Sequence, residues 1–438
     1  MRRLSARRVG LMVDVTAGTR ARSRARSARP RLTDGYRFGR AVLFVFLATA
    51  VDIFNVLDRG GSRRYVLLII PVAIVFMARA SRRSLSVRRS SATDRVLFAI
   101  WLMGMVGSLY GVLITGGDTT ARPLFFPMTL AFLYLLVLEA PTDQEAARLL
   151  RALTYVGALY VALAAVINMG LVSHLAQYKQ FRNAQFAFVL TGIAGAVVLR
   201  RRLLLAGLLV LEGVNFLAYP SATSILCGVA MLITFFVTKP HGSRARPYVI
   251  AITALLAAMV ALAQISTVAK ITGDYFVAVG KTNANSGRLA IWTTGVTQWE
   301  QSPFVGEVFT GGTVAQTYRA RNGQILQLPF HNDYVLFLAQ GGLVGVLLLI
   351  SWMLGLNFVL VRAHRRFIAA DRQERAGLVR LLMVTFNGFF VAAAFNPVLE
   401  GLSRSTVIFS LYGLAMLVCR DDVAPDVLPP AAWPRRPA

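Results

Sequence analysis

The chain has 438 residues, of which 56% are hydrophobic and only 15% charged, with two cysteines and a mean hydropathy of +0.59. Soluble domains are about 45–50% apolar and about 25% charged, so this composition excludes a soluble, disordered or disulfide-stapled protein and indicates a polytopic membrane protein. Basic residues outnumber acidic ones by 47 to 20, giving a net charge of +27 that in a soluble protein would suggest nucleic acid binding.

The two ends of the chain are predicted to be disordered. Residues 1–40 form a basic, Ser/Ala-rich tail, which we expect to be cytoplasmic and to contact anionic lipid. A secretory or twin-arginine signal is disfavoured because no compact apolar region with a cleavage site follows directly. Residues 420–438 are rich in proline and are predicted to form a second cytoplasmic tail.

Between the tails lie apolar segments with the length of membrane helices, each of which needs ~20 mostly apolar residues. We predict nine spans in residues 41–266 and three in 334–419, so the predicted fold class is an all-α polytopic membrane protein with about 12 transmembrane helices. The predicted spans are 41–57, 65–78, 96–115, 123–138, 152–172, 185–199, 203–219, 222–237, 248–266, 334–361, 378–396 and 402–419.

The positive charge predicts the orientation, because cytoplasmic loops are enriched in Lys and Arg. With the N-terminus inside, 35 of the 47 Lys and Arg residues fall in inner segments and 12 in outer segments. The predicted inner segments are 1–40, 79–95, 139–151, 200–202, 238–247, 362–380 and 420–438. Both termini are therefore expected to be cytoplasmic. The charge is explained as an orientation signal, and no nucleic acid partner is expected.

Three acidic residues lie in or beside the predicted spans, where ionisable groups often mark a functional site. Asp52 and Glu212 fall within spans, and Glu400 lies at an outer turn. Glu212, which is close to Asn215 in sequence, either lines a polar cavity or makes a structural hydrogen bond between helices. No motif assigns a role to any of the three.

The long connection 267–333 is predicted to be an extracytoplasmic loop that contains short helices, and its aromatic residues favour a functional loop over a disordered one. Its first helix is expected to be capped by Asn285 or Ser286, to bury Leu289, Trp292, Val296 and Trp299 on one face, and to end at 301–303. Arg288 would then lie in the first turn, where backbone N–H groups and a guanidinium suit a phosphate or diphosphate. The alternative is an arginine that pairs with a loop acid or a lipid headgroup.

His331 precedes the next predicted helix, which Asn332 or Asp333 is expected to cap. The positive end of that helix disfavours imidazolium, so His331 is expected to be neutral near neutral pH and able to accept a proton from a hydroxyl. The alternative is an interfacial histidine that only makes a hydrogen bond to a headgroup or a backbone carbonyl.

Four short motifs of this region occur in one order: Ser286–Trp292, Ser302–Gly306, His331–Tyr334 and Gly341–Gly345. This set resembles the signature of the O-antigen ligase and O-antigen polymerase family, in which a bundle of about 12 helices has one large periplasmic loop late in the chain. An earlier family motif is present in altered form around Arg182, with Lys179 as a second candidate for its basic residue. The sequence departs from the family at Glu307, where a second glycine is common.

The resemblance implies a C-type glycosyltransferase of the bacterial inner membrane that acts on a polyprenyl-diphosphate-linked glycan and transfers it to a glycolipid or glycan acceptor. It implies that Arg288, helped by Arg182 or Lys179, binds the diphosphate, and that His331 is the general base of an inverting, metal-independent reaction. Asn332 and Trp292 are predicted as further substrate-binding residues. No cofactor is expected.

Three other interpretations remain open from the sequence. Within the family, a polymerase that joins one lipid-linked chain to another is separated poorly from a ligase. A 12-helix secondary transporter has the same layout, although no repeat relates the two halves and the long loop is late. A non-catalytic assembly or flippase partner is the third interpretation.

Overall fold

The computed structural model describes residues 32–51, 90–115, 125–137, 139–169, 186–218, 222–238, 284–309, 314–319, 325–330, 332–394, 398–399 and 402–420. This part of the chain is predominantly helical. Its helices are α1 (Asp34–Val51), α2 (Ala92–Thr115), α3 (Phe125–Phe132), α4 (Asp143–Asn168), α5 (Phe186–Val198), α6 (Arg202–Ala218), α7 (Ala222–Val237), α8 (Ala284–Gln301), α9 (Asp333–Ala369), α10 (Gln373–Ala393) and α11 (Leu402–Val418).

An antiparallel hairpin lies between α8 and α9. It pairs β1 (Val314–Arg319) with β2 (Ile325–Pro329), and its register is irregular between Val314 and Gln316. Only short helices were predicted for this loop, so the two strands differ from the prediction. Gln, Thr and Arg interrupt the apolar residues of the strands, so the pattern lacks the long alternating run that indicates a strand.

Ten of the twelve predicted spans overlap helices of the described residues, namely α1–α7 and α9–α11, although parts of some spans, such as 52–57 and 170–172, lie outside those residues. The other two, 65–78 and 248–266, lie outside the described residues. Helix α1 begins at Asp34, inside the segment 1–40 that was predicted to be disordered. Among the described residues, four helices are long and apolar enough to cross a membrane, and they comprise Ala92–Gly111, Asp143–Ile167, Asp333–Ala369 and Gln373–Ala393.

Helix α10 lies at the centre of the bundle, where it packs against α4, α5, α7, α9 and α11. Most of its side chains are buried, as expected of a helix with neighbours on all sides. Small residues bring neighbouring helices close together. A Cβ on Gly157 of α4, for example, would lie 2.4 Å from the backbone nitrogen of Gly192 in α5.

One end of the bundle collects residues from six of the seven predicted inner segments. The contacts there are Thr33 Oγ1 to Glu145 Oε2 (2.7 Å), Tyr134 Oη to Asp94 Oδ2 (2.5 Å), Arg372 Nε to Asp143 Oδ1 (3.0 Å), Arg366 Nη2 to the Cys419 carbonyl (2.8 Å), Arg420 Nη2 to the Tyr134 carbonyl (2.7 Å) and His364 Nε2 to the Thr238 carbonyl (3.0 Å). Segments that the charge distribution assigns to one side of a membrane therefore lie together in the structure.

Candidate functional site

Helix α8, which carries Arg288, ends at Gln301 as predicted but begins earlier than predicted. Its first residue is Ala284, so the expectation that Asn285 or Ser286 caps it is wrong. Arg288 is therefore in the second turn, whereas the partial positive charge of a helix is concentrated in the first turn. The predicted anion site must depend on the guanidinium more than on the helix end. The side chain of Arg288 lies outside the described part of the structure.

The face of α8 that packs against α9 is centred on Gly295. A Cβ at this position would lie 2.4 Å from Val335 Cγ1 and 2.9 Å from Phe330 Cε1, so only glycine permits this approach. Trp292, one turn earlier, packs against the same cluster of Phe330, Leu336 and Ala339. Helix α8 is thereby held against the chain on both sides of His331.

This contact face differs from the predicted one. Positions 288, 292, 295 and 299 form one row along a helix, because residues three and four apart are neighbours. Val296, expected to be buried, is 36% exposed. Gly295 has no apolar side chain, so the apolar pattern of the sequence did not place it on the contact face.

Helix α9 is broken at Gly342 (φ 59°, ψ −160°), and the segment 302–309 fills the break. We call this contact the interlock. Its four backbone hydrogen bonds are Leu343 N to Pro303 O (2.8 Å), Val344 N to Phe304 O (3.0 Å), Phe309 N to Gln340 O (2.9 Å) and Glu307 N to Ala339 O (3.3 Å). A helix break frees N–H and carbonyl groups that must find other partners, and here the segment after α8 supplies them.

Side chains strengthen the interlock. Gln340 is fully buried and its Nε2 donates to Glu307 Oε2 at 2.8 Å. Glu307, the position at which the resemblance to the O-antigen ligase motifs fails, therefore has a partner in α9. Val308 and Phe309 have positive φ angles of 49° and 57°. Phe309 is completely buried and packs edge-to-face on Phe337, with 5.4 Å between ring centroids, which stabilises this strained backbone.

Asn332 caps α9, as predicted. Its Oδ1 accepts hydrogen bonds from the backbone nitrogens of Tyr334 (2.9 Å) and Val335 (3.2 Å). The oxygen of the side chain is therefore committed to the cap.

Asp333, the first residue of α9, ties this helix to the turn before α11. It is completely buried, and its Oδ2 accepts hydrogen bonds from the backbone nitrogens of Val398 (2.9 Å) and Leu399 (2.8 Å). From the sequence, Asp333 was predicted only as one of two candidate caps of this helix. Nothing in the local pattern identifies a bond between residues so far apart in the chain.

A polar contact joins α4 and α6 inside the bundle. Asn215 Nδ2 donates to Glu212 Oε2 (3.3 Å) and to the carbonyl of Val161 (3.4 Å), so Asn215 makes the interhelical bond and Glu212 supports it. The hydrogen bond of Glu212 stays within α6, and the bond between helices that was one alternative for Glu212 is made by Asn215.

Several predicted residues lie outside the described residues, and they are His331, Arg182, Lys179, Asp52 and Glu400. Trp292 is half-buried, and its indole nitrogen is buried without a hydrogen-bond partner among the described residues. Within the same described part, no three His, Cys, Asp or Glu side chains are grouped as a metal site.

The four long apolar helices place the chain in the class of helical membrane proteins. No protein-family model matches the sequence, and no curated protein sequence does.

Proposed function

We propose that this protein is a glycosyltransferase that moves a glycan from a polyprenyl-diphosphate carrier to an acceptor hydroxyl at the extracytoplasmic face of the bacterial inner membrane. The proposal includes the 12-span topology with both termini inside and the loop 267–333 outside. The observation that carries it is the interlock, since two motifs of the O-antigen ligase resemblance, Ser302–Gly306 and Gly341–Gly345, contact each other directly. Motifs far apart in sequence thus belong to one structural unit.

The arrangement of α8 and α9 supports the assignment of Arg288 and His331 to one site. Gly295 contacts Val335, and Pro303 contacts Leu343, so α8 and the turn after it run beside α9 in the same direction. Arg288 lies seven residues before Gly295 in α8, a rise of about 10 Å at 1.5 Å per residue. Gly295 in turn touches Phe330, the neighbour of His331.

The proposed reaction is a single displacement with inversion. The acceptor oxygen attacks C1 of the donor sugar, the bond from C1 to the diphosphate oxygen breaks, and polyprenyl diphosphate leaves with the electron pair. The acceptor proton passes to His331, while Arg288, with Arg182 or Lys179, stabilises the charge that develops on the diphosphate. Trp292 and Asn332 contribute a buried indole N–H and an amide nitrogen as substrate donors.

A broken helix is also typical of secondary transporters, in which the backbone groups at the break bind the substrate or ion. In this protein the interlock uses Leu343 N, Val344 N, Ala339 O and Gln340 O in hydrogen bonds within the chain. These groups are therefore not left for a transported ligand, which favours the transferase over the transporter.

The test is an assay of purified protein in liposomes with a polyprenyl-diphosphate-linked oligosaccharide and a glycolipid acceptor. His331→Ala should abolish release of polyprenyl diphosphate, and Arg288→Ala should lower it by about 10²–10³-fold, as for loss of one charge-stabilising donor. The matched controls are His174→Ala, between the predicted spans 152–172 and 185–199, and Arg319→Ala, at the end of β1. Both control variants should remain active. Full activity of both site variants would contradict the proposal.

The same assay separates the alternatives. A ligase needs the glycolipid acceptor, whereas a polymerase lengthens the lipid-linked glycan when no acceptor is added. A transporter would move the labelled glycan across the bilayer without cleaving its diphosphate bond. A non-catalytic partner would show neither transfer nor sensitivity to the two substitutions.

A further inference from the structure

An exposed apolar stripe runs along α9 from the break toward its C-terminal end. Its residues recur at intervals of three and four, so they share one side of the helix, and they are Leu343, Leu347, Ile350, Leu354 and Phe358. The opposite side of α9 contributes to the core, with Leu349, Leu356 and Leu360 completely buried. The stripe is thus the outer surface of the bundle.

The length of the stripe matches the hydrocarbon core of a bilayer. Arg362, which is exposed, follows Phe358 by one helical turn and marks the end of the apolar surface. Leu343 and Arg362 are 19 positions apart, a rise of about 28 Å at 1.5 Å per residue. The hydrocarbon core is about 30 Å thick, so the two ends of the stripe lie at its two boundaries.

The apolar surface does not stop at Leu343 but continues onto the turn after α8. Phe304 is 73% exposed and Val305 is also exposed, and both are held beside Leu343 and Val344 by the interlock. Exposed polar residues, Glu300 and Gln301, immediately precede this turn. The change from polar to apolar surface therefore falls between Gln301 and Phe304.

The backbone of the turn suits a lipid environment. Irregular chain is tolerated at membrane depth only when its polar groups are bonded within the protein. The carbonyl of Pro303 accepts from Leu343 N and from the indole nitrogen of Trp299 (2.9 Å), and the carbonyl of Phe304 accepts from Val344 N. Tryptophan is also the residue type that collects at membrane interfaces.

We propose that the turn Pro303-Phe304-Val305 inserts among the acyl chains of the leaflet opposite Arg362 and anchors α8 to the bilayer surface. Part of the loop that the charge pattern placed wholly outside the membrane is then embedded in it. The anchor sets the height of α8 above the hydrocarbon boundary. This inference needs membrane insertion of α9 but does not depend on the proposed transferase activity.

The test is the accessibility of nitroxide spin labels on the full chain in liposomes of phosphatidylethanolamine and phosphatidylglycerol. Labels are placed at Phe304→Cys, at Leu347→Cys within the stripe and at Glu300→Cys on α8, after Cys227 and Cys419 are replaced by alanine. Collisions with oxygen, which dissolves in acyl chains, are compared with collisions with a water-soluble nickel chelate. All three labelled positions are exposed, so the substitutions are compatible with folding.

The label at 304 is expected to favour oxygen over nickel, as the label at 347 does, and the ratio is expected to reverse at 300. Quenching of the same labels by doxyl groups at two depths of the acyl chain should place 304 nearer the headgroups than 347. A label at 304 that behaves like the one at 300 would overturn the proposal. If the unlabelled protein has no transferase activity while the labels show the expected accessibility pattern, only the proposed function is contradicted.

Discussion

Gly306 and Gly342 approach each other so closely that neither position has room for a side chain. A Cβ on Gly306 would lie 2.6 Å from the backbone nitrogen of Gly342, and a Cβ on Gly342 would lie 2.5 Å from that of Gly306. Both residues also have left-handed φ angles, of 60° and 59°. Two glycines far apart in sequence are therefore required by one contact.

Gly342→Ala should destabilise the protein by about 2–6 kcal/mol, because a residue with a Cβ at this φ and ψ costs about 1–3 kcal/mol and overpacking about 1–3 kcal/mol. The measurement is the unfolding free energy in mixed detergent micelles. Gly213→Ala is the control, since a Cβ at Gly213 in α6 meets no atom within 4 Å. Equal effects of the two substitutions would contradict the geometry of the interlock.

Gln340 and Glu307 should show an energetic coupling of about 1.5–3 kcal/mol, the range for a hydrogen bond to a charged group. The experiment is a double-mutant cycle with Gln340→Leu and Glu307→Ala, which reports the pairwise free energy. Glu307→Gln keeps an acceptor oxygen and should retain part of the stability. A coupling near zero would show that the 2.8 Å contact does not stabilise the interlock.

Gly295→Ala should lower the transfer rate by moving α8, and with it Arg288, away from the start of α9. The added methyl would lie 2.4 Å from Val335 Cγ1, so the helix has to shift. Val335→Ala removes that methyl and should restore part of the rate in the double variant. Activity that is unchanged in Gly295→Ala would contradict the role of this contact in positioning Arg288.

Asp333→Ala should destabilise the protein by about 2–5 kcal/mol, since it leaves the buried N–H groups of Val398 and Leu399 without their acceptor. Asp333→Asn keeps one acceptor oxygen and should cost less. Both are compared by thermal unfolding with Glu300→Gln, an exposed acidic residue whose replacement should stay within about 0.5 kcal/mol of the parent. Asp333→Ala is expected to destabilise the protein most, Asp333→Asn less and Glu300→Gln least.

Asp94, at the end of the bundle opposite the interlock, is expected to contribute strongly to the free energy of unfolding. It is 1% exposed and accepts hydrogen bonds from the hydroxyls of Tyr134 (2.5 Å), Tyr412 (2.8 Å) and Ser91 (2.7 Å). Asp94→Ala leaves these donors unsatisfied and should cost at least about 3 kcal/mol, more than Tyr412→Phe, which removes one donor. The melting temperatures of the two variants in detergent provide the comparison.

Local features of the site were predictable because they depend on neighbours in the chain. The cap at Asn332 follows from a side chain that reaches the next backbone nitrogens, and the end of α8 at Gln301 follows from the proline two residues later. The positions of ten helices followed from continuous apolar segments, because a membrane helix satisfies its own backbone. The start of α8 was wrong because adjacent polar residues offer several competing caps.

The sequence by itself therefore determined a membrane protein, the approximate positions of its helices and the segments that share one end of the bundle. Only the tertiary structure decided that α9 breaks at Gly342, that Gly295 brings α8 against the start of α9, and that Asp333 holds a turn 65 residues away. A helix breaks, or a glycine face is chosen, only where a distant segment supplies the hydrogen bonds or fills the space. The free energy that stabilises these features comes from contacts between distant segments, which local sequence patterns do not encode.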